Sequence, residues 1–225
     1  MSALNVTALA QKLDLFLLRP DITDADLAKL CWEAKQYHLG AITVPSAAVK
    51  FCAEQLAGSD TQICAAIGFP LGQSSVAAKA FEGGQAIRDG ATTVDFFLNL
   101  GNVKSGRMCD VVNELTTLVK ASQDHPVKIT LETCYLTDQE KKALCEAAIQ
   151  SGATLVKTST GLAQGATLPD VLLLISIAQG EIQVEAAGEI RTLDQALAFL
   201  DAGAAYIGTK EAIAILQEAE EVLPA

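Results

Sequence analysis

The chain has 225 residues, half of them apolar, which is ample for one buried core. Its formal net charge of −11 leaves no basic stripe to neutralise phosphates, which argues against nucleic-acid or anionic-membrane partners. No run approaches the roughly 18 apolar residues of a membrane-crossing helix, and the start, MSALNVTALAQKLD, lacks the basic and apolar segments of a secretory leader, so the expected compartment is the cytoplasm.

The first apolar run, residues 14–18, reads as a strand. Thr23 then reads as the N-cap of a helix over 24–38, with Asp26 in its first turn and Leu27, Leu30, Cys31 and Ala34 on one face. Trp32 falls in that helix and is expected to pack. Further strands are predicted at 41–44, 62–68, 93–98, 128–132, 155–158, 183–186 and 206–208, with helical patterns between them. Thr137 and Glu140 form a capping-box pattern. Gly40, Gly90, Gly152 and Gly203 each stand where a helix should end. Cys31, Cys52, Cys109 and Cys145 lie in helical patterns and are expected to be buried free thiols. No cysteine pair or histidine has metal-site spacing, so no metal is expected. Eight strand–helix units without a linker predict one α/β domain over 1–225, a (β/α)₈ TIM barrel.

Barrel chemistry sits at the C-terminal ends of the strands. The residues there are Asp14, Asp95, Asn99, Lys128, Glu132, Lys157, Thr158, Ser159, Glu185, Gly208, Thr209 and Lys210. Lys157 stands out, because it ends an apolar strand in TLVKTSTG. A buried lysine is costly unless paired or neutral, and a neutral amine can attack a carbonyl. A lysine snorkelling from the strand end to water is the alternative. Asp95, set among apolar residues, is either an ion-pair partner or a proton carrier for that amine. The segments Gly188–Glu189 and Gly208–Thr209–Lys210 follow strands seven and eight, where barrels frequently bind phosphate; ordinary turns are the alternative.

Taken together, LDLFLLRPD (13–21), IGFPLG (67–72), VDFFLNLGNVKSG (94–106), VKITLETCYLTDQE (127–140), LVKTSTG (155–161), AAGEIRT (186–192) and YIGTK (206–210) resemble the deoxyribose-phosphate aldolases. The resemblance implies a class I aldolase without metal or cofactor. It would cleave or form a carbon–carbon bond between a short aldehyde donor and an aldehyde acceptor such as glyceraldehyde 3-phosphate. It places the Schiff-base lysine on Lys157, the proton-shuttling carboxylate on Asp95, and further active-site positions on Asp14 and Lys128. Substrate contacts fall on Thr158, Thr160, Gly161, Gly188, Glu189, Gly208 and Lys210.

The chain departs from the family pattern at several points. Glu185 stands where the family has a second lysine, and an anion there favours the Lys157 ammonium. Glu189 replaces a glycine, and Lys210–Glu211 replaces a serine pair. Glu189, if it points inward, is expected to repel phosphate or to pair with Lys210. The family's strand-two Cys and Asn fall on Ile42 and Val44, which with Phe16, Phe96 and Phe97 suggest a more apolar pocket. These changes leave two alternatives beside the aldolase: an impaired paralogue with a binding or regulatory role, or a different lyase using Glu185 as general acid or base. The expected partner is a small aldehyde or sugar phosphate, and a homodimer is one expectation for assembly.

Overall fold

In the computed structural model, which describes residues 4–224, eight parallel strands close on themselves in sequence order. They are β1 (Leu13–Phe16), β2 (Ala41–Pro45), β3 (Gln62–Ile67), β4 (Thr93–Phe97), β5 (Val127–Thr130), β6 (Leu155–Lys157), β7 (Gln183–Ala187) and β8 (Tyr206–Thr209). Each is followed by helix: α2 (Asp24–Gln36), α3 (Val49–Gln55), α4 (Val76–Arg88), α5 (Leu100–Lys104) with α6 (Met108–Ala121), α7 (Asp138–Ser151), α8 (Leu168–Ala178), α9 (Leu193–Asp201) and α10 (Ala212–Val222). A short α1 (Val6–Ala10), absent from the sequence reading, precedes β1 and packs against α10. Among the described residues no helix is long and apolar enough to cross a membrane.

Local chemistry sets the helix boundaries. Thr23–Asp26 and Thr137–Glu140 both form reciprocal capping boxes, as predicted. Gly90, Gly152 and Gly203 take left-handed backbone after their helices. Gly40 does not; His38 turns the chain at φ 51° instead. A Cβ on Gly40 would stand 2.1 Å from the Gln11 carbonyl oxygen, so close approach is what calls for glycine there.

Two expectations fail at the surface. Trp32 is 59% exposed on α2, and Cys109 is exposed on α6. Both lie off the buried faces of their helices, which carry Leu27, Leu30, Cys31 and Ala34 on α2 and Val111, Glu114, Leu115 and Leu118 on α6. Cys31, Cys52 and Cys145 are buried free thiols.

The main core lies between strands and helices, where outward strand residues such as Ile42, Val44, Phe96 and Ile129 pack. Strand alternation turns the other set inward. Register aligns Asp95 with Lys128, Phe97 with Thr130, Thr130 with Lys157, and Lys157 with Glu185. The inward set therefore carries the charged residues of the interior. Ile42, Val44 and Phe96 are not pocket residues; Thr43, between the first two, points in and bonds Asp14.

Candidate active site

Three neighbouring strands build the upper interior. Lys157 ends β6 and is 2% exposed; its Nζ donates to Asp95 Oδ2 in a short ion pair. Thr130 on β5 donates to Asp95 Oδ1 at 2.7 Å, so both carboxylate oxygens are held. The Lys157 ammonium also stands 5.6 Å from the centroid of the Phe97 ring. Above lies a small apolar layer of Phe16, Leu18, Ala66 and Phe97, with Phe69 packed on it edge to face with Phe97.

A second charged set lies one layer lower. Lys128 Nζ donates to Asp14 Oδ2 at 2.7 Å and pairs with Glu185 Oε2 at 2.5 Å. Thr43 donates to the same Asp14 oxygen at 2.6 Å, while Asp14 Oδ1 is buried without a hydrogen-bond partner. Gly208 makes room for this arrangement: a Cβ there would stand 2.6 Å from Glu185 Oε1. The set floors a cavity of about 420 Å³ that opens at the N-terminal mouth between Gln62, Gln183 and Tyr206.

The titrations follow from these contacts. Burial pulls the Lys157 pKa down, but Asp95 pushes it up, Lys128 opposes and Glu185 assists; the net direction is upward. Glu185 thus favours the ammonium, as its charge predicts, but Asp95 does so more strongly. Burial also pulls Lys128 down, and Asp14, Cys64 and Glu185 reverse this until it lies well above the ordinary lysine range. Burial raises the Asp14 carboxyl, and Lys128, Lys157 and Thr43 bring it below its usual value. Burial raises Glu185, and repulsion from Asp14 adds to it against the pull of Lys128. Burial pushes the Cys64 thiol up to about 12.

The remaining predicted positions divide into two groups. Thr158 ties β6 to β7, accepting from the Ala187 N–H at 3.0 Å and donating to the Ala187 carbonyl at 3.3 Å. Thr160 accepts from the Leu162 N–H at 3.2 Å and hydrogen bonds Glu132. Gly161 and Gly188 let two loops touch: a Cβ on Gly188 would lie 2.5 Å from the Gly161 nitrogen. Glu189 pairs with Arg191, not with Lys210. Lys210 stands 5.7 Å from the Phe16 ring centroid. The chain thus brings Lys157, Asp95, Lys128, Asp14 and Glu185 into one charged interior and leaves Glu189 and Lys210 apart at the rim.

The structure adds Lys79, which the sequence did not single out, and gives the strand-end candidate Glu132 a definite setting. Lys79 on α4 is fully buried and donates to the Gly72 and Phe97 carbonyls, at 2.7 and 2.8 Å, and to Glu114 of α6. It ties the loop carrying Phe69 and Pro70 to the end of β4. The signal was its spacing, since Lys79, Gly83 and Ala86 share the buried helix face. Glu132 turns the chain after β5 at φ 52° and ψ 63°. Its Oε2 is buried without a hydrogen-bond partner, and burial raises its pKa against the pull of Thr160 and Lys157. It lines a groove of about 420 Å³ together with Phe97, Thr130 and Leu162.

A (β/α)₈ barrel with a lysine–carboxylate pair at the C-terminal ends of its strands defines the class: a barrel protein equipped where such folds do chemistry. No protein-family model matches the sequence. The deoxyribose-phosphate aldolase of Staphylococcus carnosus is 42% identical over 212 residues, covering 94% of this chain and 96% of its own. The solved structure of "QR15, an Aldolase" superposes with a TM-score of 0.90 at 33% identity, over 95% of this chain and 96% of that one. A tetrameric deoxyribose phosphate aldolase from Aeropyrum pernix gives a TM-score of 0.90 at 29% identity, over 97% and 94%. The chain belongs to the deoxyribose-phosphate aldolase family.

Proposed function

We propose that the protein is a class I aldolase that joins or splits a short aldehyde donor and an aldehyde acceptor through a Schiff base on Lys157. The observation that carries this is the buried Lys157–Asp95 pair, with Thr130 fixing the carboxylate. A proton passed from the ammonium to Asp95 leaves a neutral amine beside the Phe97 ring. That amine adds to the donor carbonyl, and the carbinolamine loses water with Asp95 returning the proton. In cleavage the iminium then accepts the electron pair of the breaking carbon–carbon bond while Asp95 takes the hydroxyl proton of the departing aldehyde, leaving an enamine; in the forming direction Asp95 removes the α-proton to give the same enamine.

Glu185 opposes this chemistry by favouring the Lys157 ammonium, and Lys128, which holds its carboxylate, limits that effect. Lys128 and Asp14 serve here as the electrostatic support of the reacting pair. Thr158, Thr160, Gly161, Gly188 and Gly208 shape the loops and interior around it.

The test is borohydride reduction in the presence of acetaldehyde, followed by intact mass. The wild type should gain one ethyl group, and Lys157→Met should not gain it. Failure of the wild type to form the adduct at any pH where the fold persists would remove the Schiff-base reading.

A further inference from the structure

We infer that Glu132 determines which acceptor aldehyde the site takes: its free carboxylate oxygen accepts a hydrogen bond from a hydroxyl on the carbon next to the acceptor's carbonyl. This rests on the Schiff-base reading and names the residue that reads the acceptor at the same site.

The backbone fixes where this side chain stands. Glu132 follows Thr130 by two residues, on the mouth side of the reacting pair, and Thr130 is the residue that holds Asp95. The Leu131 N–H donates to the Lys157 carbonyl and the Thr133 N–H to the Thr158 carbonyl, both at 2.9 Å. Glu132 is thus pinned on both sides to the strand end that carries the lysine. Between those bonds it takes left-handed backbone, which is disfavoured for a residue with a Cβ. Backbone of this kind concentrates at functional sites, where it aims a side chain.

The carboxylate is only half satisfied. The Thr160 hydroxyl and N–H both hydrogen bond it, whereas Oε2 is buried without a partner. Such an oxygen is costly until a donor reaches it. The side chain as a whole is half-buried and lines the groove floored by Phe97 and Thr130. The terminal torsion of a glutamate is soft, so a small turn presents Oε2 to that groove. Leu162, Gln73 and Lys104 also line it, a mixture that suits a small polar molecule. Lys104, the cation of that lining, pairs with Glu140 at 2.8 Å.

The chemistry says which donor arrives. The reactants are aldehydes, and their hydrogen-bond donors are hydroxyls. The acceptor's carbonyl oxygen becomes the hydroxyl served by Asp95, so a different group meets Glu132. The next carbon of the acceptor leads from Lys157 toward the mouth, and a hydroxyl on it falls on the Glu132 side of the groove.

The experiment gives the full chain acetaldehyde as donor and two acceptors that differ by one hydroxyl, 2-hydroxypropanal and propanal, and follows the crossed products by mass. One acetaldehyde and one 2-hydroxypropanal give one 3,4-dihydroxyaldehyde with nothing left over. The wild type should favour 2-hydroxypropanal by at least about tenfold in kcat/KM. In Glu132→Gln the Thr160 donors hold the amide oxygen and turn the NH2 group to the groove, which should lower that ratio by about tenfold. Glu132→Asp keeps the charge, withdraws the oxygen and should lower it likewise, and it decides the point should the amide variant not fold. Both acceptors share the donor steps on Lys157, so changes in lysine reactivity or in the folded fraction cancel in the ratio. The intrinsic difference between the two aldehydes is the same for every variant. A wild-type ratio near one, a ratio that the folded variant keeps, or turnover of neither acceptor overturns the inference. Borohydride trapping with acetaldehyde needs no acceptor, so an adduct beside any of these results sinks this inference and spares the Schiff base. Absence of the adduct sinks the Schiff base itself.

Discussion

Two of the buried lysines, Lys157 and Lys128, stand inside the strand barrel under different conditions. Lys157 faces one carboxylate, a threonine-held Asp95, beneath an apolar layer at the C-terminal mouth. Lys128 lies between two carboxylates, Asp14 and Glu185, above a polar cavity at the N-terminal mouth. One anion can take a proton and leave a neutral pair. Two anions around one ammonium lock the charge in place. Register alone does not set these pairs: the ladder aligns Lys157 with Thr130 and Glu185, and Lys128 with Asp95 and Leu155, whereas the ion pairs join Lys157 to Asp95 and Lys128 to Asp14 and Glu185.

The largest effect that would sharpen the contrast is on stability. Lys128→Met leaves two buried carboxylates without their cation and should cost about 3–5 kcal/mol in urea unfolding. A loss below about 1 kcal/mol would mean that the lower set is not a charged lock. Asp14 carries the matching pH dependence. Its folded-state pKa is depressed, so its contribution is present above its ordinary pKa and is lost as pH falls through the folded value. Lys128→Met should flatten that acid limb.

Next comes the pH dependence of reactivity. The Lys157 pKa lies above its ordinary value, so the amine fraction, and with it acetaldehyde trapping, should rise about tenfold per pH unit across the neutral to alkaline range. A trapping rate independent of pH would mean that the amine forms by proton transfer to Asp95 within the pair, with no proton lost to solvent.

A smaller effect tests the coupling between the layers. Glu185→Gln removes an anion that favours the Lys157 ammonium, so trapping near neutral pH should rise several-fold. An unchanged or lower rate would separate the two layers. The smallest effect is Thr43→Val, which removes one hydrogen bond to Asp14 and should cost about 1 kcal/mol by thermal or urea unfolding, with little change in trapping.

Much of the fold was legible because each strand is an apolar run bounded by turn residues. The predicted strands one and five start and end one or two residues later than the observed ones. In strand five Glu132 leaves the ladder in left-handed backbone, which β-like composition does not reveal. Lys157 and Asp95 were legible as charges within apolar strands. Thr43 was not, because the family's strand-two pattern placed the pocket positions on its neighbours, and a shift of one residue in a strand exchanges inside for outside. The Glu189–Arg191 pair escaped because two rim charges separated by one loop residue have no fixed direction in sequence. Lys79 with Glu114 escaped because the partners come from different helices.

The difference between the two lysines can be read at the level of single residues. Acetaldehyde and borohydride, followed by proteolysis and peptide mass mapping across a pH series, report which amine condensed. Ethylation of Lys157 that grows with pH, with Lys128 unmodified, is the predicted result. Ethylation of Lys128 in the folded protein, or an unmodified Lys157 beside ethylated surface lysines, would contradict it.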